Sequence, residues 1–84
     1  MGVETLGGRI AQARLSEGAR RGKGYTQTEL AQALGVKPQT VSQWEADNAE
    51  PSLRSVKLIA KALNASPGWI AWGDRTDIIL IDET

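Results

Sequence analysis

Two short helical patterns joined at Gly35 fill residues 25–50, and they limit the possible folds more than any other feature of the chain. Thr26 can cap the first helix, since Glu29 stands three residues later, as a reciprocal capping box requires. The next apolar residues fall on one helical face, at Leu30, Ala31 and Leu34. Glycine adopts the left-handed conformation at low cost, so the sequence predicts a helix that ends at Gly35.

A second helix is predicted near residues 38–47. Lys37 is biased away from helix because it precedes a proline, and Pro38 suits the first position of a new helix. By the 3.6-residue period, Val41 and Trp44 share one face and are expected to be buried. The opposite face carries the polar side chains Gln39, Thr40, Gln43 and Asp47. This helix therefore has an apolar inner side and a polar, mostly uncharged outer side.

The outer face of this second helix is suited to reading DNA bases. A glutamine amide offers a donor and an acceptor together, so Gln39 and Gln43 can each pair with the N6 and N7 atoms of adenine in the major groove. Thr40 adds a hydroxyl and a methyl group. A single glutamine on a polar helix face is usually only a solvated surface residue. The joint placement of Gln39, Thr40 and Gln43 on the outer face of a second helix favours base contacts instead.

The segment resembles the helix-turn-helix of lambda-repressor-like regulators, the family that includes phage repressors, Cro proteins and XRE-type regulators. The resemblance extends over about residues 6–73 and implies an all-α, five-helix DNA-binding domain with a short extended tail at its C terminus. It also implies a sequence-specific transcriptional regulator of phage or bacterial origin, which binds double-stranded DNA through the major groove. In this family, bases are contacted by the residues that match Gln39, Thr40 and Gln43.

Two further roles are implied by the same resemblance. In the family, a glutamine at the start of the second helix grips a DNA phosphate, and Gln27 occupies that place. An arginine of the first helix commonly forms a structural ion pair with a glutamate near the end of the recognition helix. The resemblance therefore implies an ion pair between Arg14 and Glu45.

The chain departs from the family pattern at three places. Lys37 stands where the family usually has a serine or threonine cap. A lysine side chain cannot cap the helix, so we expect it to contact a phosphate instead. The link between the first and second helices, residues 17–24, is expected to be long and basic, and further phosphate contacts are expected from its cations Arg20, Arg21 and Lys23. Such a basic run more often marks only a solvated surface. In the loop after the recognition helix, we expect Asn48 to be left-handed.

The remaining helices are predicted to frame the reading helix. A first helix should run from about residue 5 to residue 18, although Gly7 and Gly8 weaken its start by roughly 1 kcal/mol each. Ser52 can cap a fourth helix, and Ser66 a short fifth helix. The apolar residues expected to be buried are Leu6, Ile10 and Ala13 of the first helix, Leu53, Val56, Ile59, Ala60 and Leu63 of the fourth, and Trp69 of the fifth.

The tail, residues 74–84, follows a single predicted domain, residues 1–73, and differs from it in charge. The formal net charge is zero, yet residues 1–61 hold nine basic and six acidic side chains, whereas the tail holds four acids and one arginine. Between two aspartates, the tail has an apolar run that predicts a strand: Ile78, Ile79, Leu80 and Ile81. We expect this strand to pair with its twin in a homodimer, with Trp72 beside it. Folding back within one subunit, or a linker to a further domain, stays open.

Composition argues against several classes of function. The chain has no cysteine and no histidine, so it lacks thiolate metal sites, the commonest metal ligand and the usual general base. We therefore expect no enzyme, no metal, no cofactor and no small-molecule ligand. An apolar run long enough for a bilayer and an apolar signal core are both missing, so we expect a cytoplasmic protein without a membrane partner. Two other functions stay open: an antitoxin that represses its own operon, and a protein-interaction module that no longer binds DNA.

Overall fold

The computed structural model describes residues 4–73 of the chain. Five helices make up this part: α1 Leu6–Arg21, α2 Gln27–Leu34, α3 Pro38–Glu45, α4 Leu53–Leu63 and α5 Pro67–Trp72. The prediction of five helices is confirmed, and residues 4–73 contain no strand. The strand predicted in the tail lies outside the described residues. No helix in the described range is long and apolar enough to cross a membrane.

Short polar side chains set the start of four helices. Each accepts a hydrogen bond from an amide of the first turn, at Thr5, Thr26, Ser52 and Ser66. α3 differs, because the Lys37 side chain makes no such bond and Pro38 supplies a first residue with a preset φ angle. Left-handed residues end the other four helices, at Gly22, Gly35, Asn64 and Gly73. Local sequence therefore decides most of the helix boundaries.

α1 is longer than predicted, so the expectation of a long basic link at residues 17–24 is wrong. The helix passes through Gly18 and ends at Gly22, which has a φ angle of 79°. Gly18 is buried, and a Cβ on it would lie 2.8 Å from the Cα atom of Gly24. Its missing side chain lets the chain fold back against the helix and does not end the helix. The link to α2 is short, and two of its expected cations belong to α1.

The core lies where the five helices meet. Its buried apolar side chains are Ile10, Ala13, Tyr25, Leu30, Ala31, Val41, Trp44, Val56, Ile59, Ala60, Leu63 and Ile70. Trp44 is buried as predicted, and Trp69 is partly buried against this cluster. The prediction that Leu53 is buried is wrong, since its side chain is exposed. Leu53 is the first residue of α4, and because side chains of a helix tilt toward its N terminus, this one extends beyond the body of the helix.

Gly7 brings the start of α1 against the end of α3. A Cβ at this position would lie 2.8 Å from the Glu45 carbonyl oxygen and would also strike the Trp44 carbonyl oxygen. The Gly7 amide donates a hydrogen bond to the Asp47 carboxylate at 2.9 Å. Although glycine weakens a helix start, this glycine is the residue that lets α1 pack on α3.

The loop after α3 begins earlier than predicted. α3 ends at Glu45, so Asp47 does not lie on its outer face. Asp47 takes the left-handed conformation that was expected for Asn48, with a φ angle of 62°. A short side chain that forms a hydrogen bond nearby makes this conformation tolerable, and the Asp47 carboxylate accepts such a bond from Gly7.

Candidate nucleic-acid interface

The outer side of α3 carries the three residues predicted to read bases. Gln39 and Gln43 are exposed, and Thr40 is half-buried. Gln39 and Gln43 are four residues apart, so their amides project from the same helical face. On the inner side, Val41 is fully buried and Trp44 is only 6% exposed. The core therefore fixes the orientation in which α3 presents its polar side.

Ser42 is a further polar residue on the exposed part of α3. It lies three residues after Gln39, so the two side chains are neighbours on the helix surface. The sequence interpretation left Ser42 out, although the helical period places it on the solvent side. Its hydroxyl adds a donor and an acceptor to the polar face.

The start of α2 is a second outward-facing feature. Thr26 Oγ1 accepts a hydrogen bond from the Glu29 amide at 3.0 Å, and the Glu29 carboxylate accepts one from the Thr26 amide at 2.9 Å. The bond from the Thr26 amide lowers the pKa of Glu29 below its ordinary value. Gln27 is the first residue of α2 and is half-buried at the positive end of the helix dipole. A helix start of this kind attracts anions such as phosphate.

A partly buried set of hydrogen bonds joins Gln27 to α3 and α1. Arg14 donates from Nε to Glu45 Oε2 at 2.7 Å and from Nη2 to Glu45 Oε1 at 3.0 Å, so the predicted ion pair is present. Arg14 Nη1 also donates to the Tyr25 carbonyl at 2.7 Å. Gln27 Nε2 donates to Glu45 Oε1 at 2.9 Å. One carboxylate thus connects three helices.

The cations predicted to bind phosphate lie in two different settings. Lys23 is exposed in the loop before α2, and Lys37 is exposed directly before α3. Arg20 and Arg21 lie in the last turn of α1, where both pair with the Glu17 carboxylate. The two lysines therefore lie in the loops before α2 and α3, whereas the two arginines lie within α1 and form ion pairs with Glu17.

Sequence reasoning missed two buried charged residues, Arg9 and Glu17, which are each 7% exposed. Arg9 donates from Nε to the Ile70 carbonyl at 2.9 Å and from Nη2 to the Ala71 carbonyl at 3.3 Å, which satisfies the end of α5. A hydrogen bond from Arg20 lowers the pKa of Glu17. Glu17 has a sequence signal, because an acid three and four residues before arginines forms helical ion pairs. Arg9 has a weaker one, since it lies on the face that carries Leu6, Ile10 and Ala13.

Of the residues predicted for dimerisation, the structure describes Trp72. It is the last residue of α5, and its side chain is 70% exposed. A large exposed aromatic side chain is suited to contact with a partner surface. The other four, Ile78, Ile79, Leu80 and Ile81, lie outside the described residues.

Comparison with known proteins identifies the family. A family model described as Helix-turn-helix matches residues 18–70, more than half of the chain. The chain belongs to the helix-turn-helix family. The matched range contains α2 and α3 in full, so the family model covers both helices of the candidate interface.

Among curated proteins, this helix-turn-helix chain is similar to the HTH-type transcriptional regulator DicA of Escherichia coli (strain K12). The two are 39% identical over 56 residues, which cover 67% of this chain and 42% of DicA. The chain therefore spans less than half the length of this relative.

Two solved structures of the P22 c2 repressor share the fold of the helix-turn-helix chain. A crystal structure of the repressor in complex with synthetic operator 9T has a TM-score of 0.67 and 28% identity, and the match covers 83% of this chain and 97% of the repressor chain. A nuclear magnetic resonance structure of its DNA-binding domain has a TM-score of 0.63 and 31% identity, with 83% and 84% covered. These likenesses confirm the lambda-repressor-like fold that the sequence predicts.

Proposed function

We propose that this chain is a sequence-specific transcriptional regulator that binds double-stranded DNA and reads the major groove with α3. The inner side of α3 is fixed in the core by Val41 and Trp44, while Gln39 and Gln43 project outward. An α-helix fits the major groove, and a glutamine amide matches the hydrogen-bonding edge of adenine there.

The relatives support the same function. DicA is named as a transcriptional regulator, and the P22 c2 repressor was crystallised with a synthetic operator. The match to the repressor covers nearly all of the repressor chain in that complex, so the part in common is a DNA-bound domain. Phage-repressor-like control of transcription is therefore the function that we assign to this chain.

Phosphate contacts and base contacts are made by different residues in the proposed complex. Gln27 and the amides at the start of α2 contact a phosphate and set the register, which carries no sequence information. Lys23 and Lys37 add positive charge near the phosphates, and Arg20 and Arg21 add charge at the end of α1. Base readout belongs to the outer face of α3, at Gln39, Thr40 and Gln43.

Two copies of the chain are proposed to act together in the cytoplasm. One recognition helix reads only a few base pairs, so two copies on half-sites about one helical turn apart give useful specificity. The exposed Trp72 and the apolar tail supply the surface for a two-fold contact between the copies.

Selection of bound sites from a pool of random duplexes tests the proposed function. At low salt the parent chain should bind random duplex through phosphate contacts, and repeated selection should yield a consensus with two half-sites. The double variant Gln39→Ala/Gln43→Ala should keep the random-duplex binding and lose the consensus. Failure of the parent chain to bind any duplex at low salt would contradict the proposal and would favour a protein-interaction module.

A further inference from the structure

The Glu45 carboxylate is shared by two donors from different helices. Arg14 of α1 donates two hydrogen bonds to it, and Gln27 of α2 donates one from Nε2 to Oε1 at 2.9 Å. The Glu45 side chain is only 7% exposed, so water competes poorly for these contacts. Glu45 is the last residue of α3, and Gln27 is the first residue of α2. The contact therefore joins the helix proposed to contact bases, α3, to the helix proposed to contact a phosphate, α2.

This contact fixes the direction of the Gln27 amide. An ionised carboxylate can only accept hydrogen bonds, so the amide turns its nitrogen toward Glu45 and its oxygen away. Nε2 carries two hydrogens, and Glu45 accepts one of them. The second hydrogen lies in the plane of the amide and points away from Glu45. Since Gln27 is only half-buried, this second donor can reach an acceptor outside the protein.

Arg14 removes the electrostatic obstacle to such an acceptor. An unpaired carboxylate near the start of α2 would repel a phosphate that approached Gln27. The two hydrogen bonds from Arg14 compensate the charge of Glu45, and a third Arg14 donor is held by the Tyr25 carbonyl at 2.7 Å. The Arg14 side chain is 14% exposed, so its charge acts inside the protein.

We propose that Glu45 is a positioning residue, which presets the Gln27 amide to donate its second Nε2 hydrogen to a phosphate oxygen of duplex DNA. The inference rests on the proposed function and gives Glu45 a role beyond its ion pair with Arg14. A preset amide loses less rotamer freedom when DNA binds, so its hydrogen bond to the phosphate contributes more to affinity. The same contact couples the phosphate contact of α2 to the position of α3.

A double-mutant cycle on the binding of random duplex tests this role. Gln27→Ala should weaken binding about tenfold. Glu45→Gln should weaken it about fivefold, because a neutral amide no longer dictates which end of the Gln27 amide faces it. In the Gln27→Ala background, Glu45→Gln should add less than about twofold, since no amide is left to position. Full and independent effects of the two substitutions would overturn the proposal.

Gln32 provides the matched control for this cycle, because it is an exposed glutamine of the same helix. In the Gln32→Ala background, Glu45→Gln should keep its full fivefold effect on the binding of duplex. A loss of that effect in the Gln32→Ala background would mean that the coupling is not specific to Gln27, and would count against the proposal. Thermal unfolding of each variant reports whether the substitution also loosens the fold.

A measurement on the parent chain avoids any effect of Glu45→Gln on folding. In isotope-labelled NMR spectra, the two Nε2 hydrogens of Gln27 give separate resonances, and the one held by Glu45 should be displaced downfield from the usual position of a glutamine amide. Random duplex should shift the second resonance strongly and the first only slightly. Resonances that stay unmoved while duplex binds would overturn the positioning role alone, and absence of duplex binding by the parent would overturn the proposed function as well.

Discussion

Gly7 has no side chain, and this decides how closely α1 approaches α3. We predict that Gly7→Ala lowers the free energy of unfolding by about 1–3 kcal/mol, because the added Cβ meets backbone oxygens that cannot move aside. The loss should appear although alanine is the better helix former by about 1 kcal/mol. Urea unfolding measures the difference.

Gly68→Ala is the control for this substitution. A Cβ on Gly68 would meet only Ser66 Oγ at 3.7 Å, an ordinary contact, so stability should stay unchanged or rise. A Gly7→Ala variant as stable as the parent chain would show that α1 and α3 can separate at no cost.

The residues that sequence could place are those whose environment is local. Thr26 caps α2 because Glu29 is three residues away, and the pattern is visible in the chain itself. Arg9 could not be assigned in this way, since its acceptors are the carbonyls of Ile70 and Ala71, more than sixty residues further on. Asp47 was misplaced for the same reason, because its partner is the amide of Gly7. Pairings between distant residues follow only from the packing of the helices.

Among the helices, the buried acid Glu17 and its partner Arg20 connect the end of α1 to the end of α4. Glu17 pairs with Arg20, and Arg20 Nη2 donates to the Leu63 carbonyl at 3.4 Å. The hydrogen bond from Arg20, followed by one from Asn64, holds the pKa of Glu17 below its ordinary value of 4.5. The folded chain therefore binds the Glu17 proton less tightly than the unfolded chain does.

The lowered pKa of Glu17 predicts a loss of stability in acid. The stabilisation is complete above pH 4.5 and is lost as the pH falls below it, through the lower pKa of the folded state. Glu17→Gln should flatten this fall in the free energy of unfolding, measured by urea unfolding across that range of pH. Glu50→Gln, which makes the same change of charge in an exposed loop, is the control. An unchanged acid profile for Glu17→Gln would contradict the prediction.

The helix boundaries also bear on the contacts with DNA that we propose for the cations. Arg20 and Arg21 were expected in a long basic link, but α1 continues to Arg21 because Gly18 serves close packing. We predict that Lys37→Ala weakens binding to all duplexes alike and lowers the slope of log affinity against log salt by about one. Arg20→Ala should lower this slope less, because Glu17 already compensates the Arg20 charge. Equal slopes for the parent and Lys37→Ala would place Lys37 away from the phosphates.

For the whole molecule, useful specificity for DNA requires two copies of the chain. Trp72 is 70% exposed and shortly precedes the apolar run of residues 78–81 in the sequence, so we predict that the intact chain is a dimer at micromolar concentration. Light scattering should show a monomer for a chain that ends at Asp74, and a weakened dimer for Trp72→Ala. Leu15→Ala removes an exposed apolar side chain from α1 and should leave the mass unchanged. A monomeric intact chain, or a dimer that survives removal of the tail, would contradict this arrangement.

The proposed function depends on the reading of base edges in the major groove by α3. The most direct measurement compares the selected duplex with copies in which single purines carry carbon in place of N7, an acceptor that lies only in that groove. Affinity of the parent chain should fall by about 1–3 kcal/mol at one or two positions in each half-site, and Gln39→Ala or Gln43→Ala should abolish the fall at the position that the glutamine reads. Undiminished affinity of the parent chain for every substituted duplex would contradict the claim.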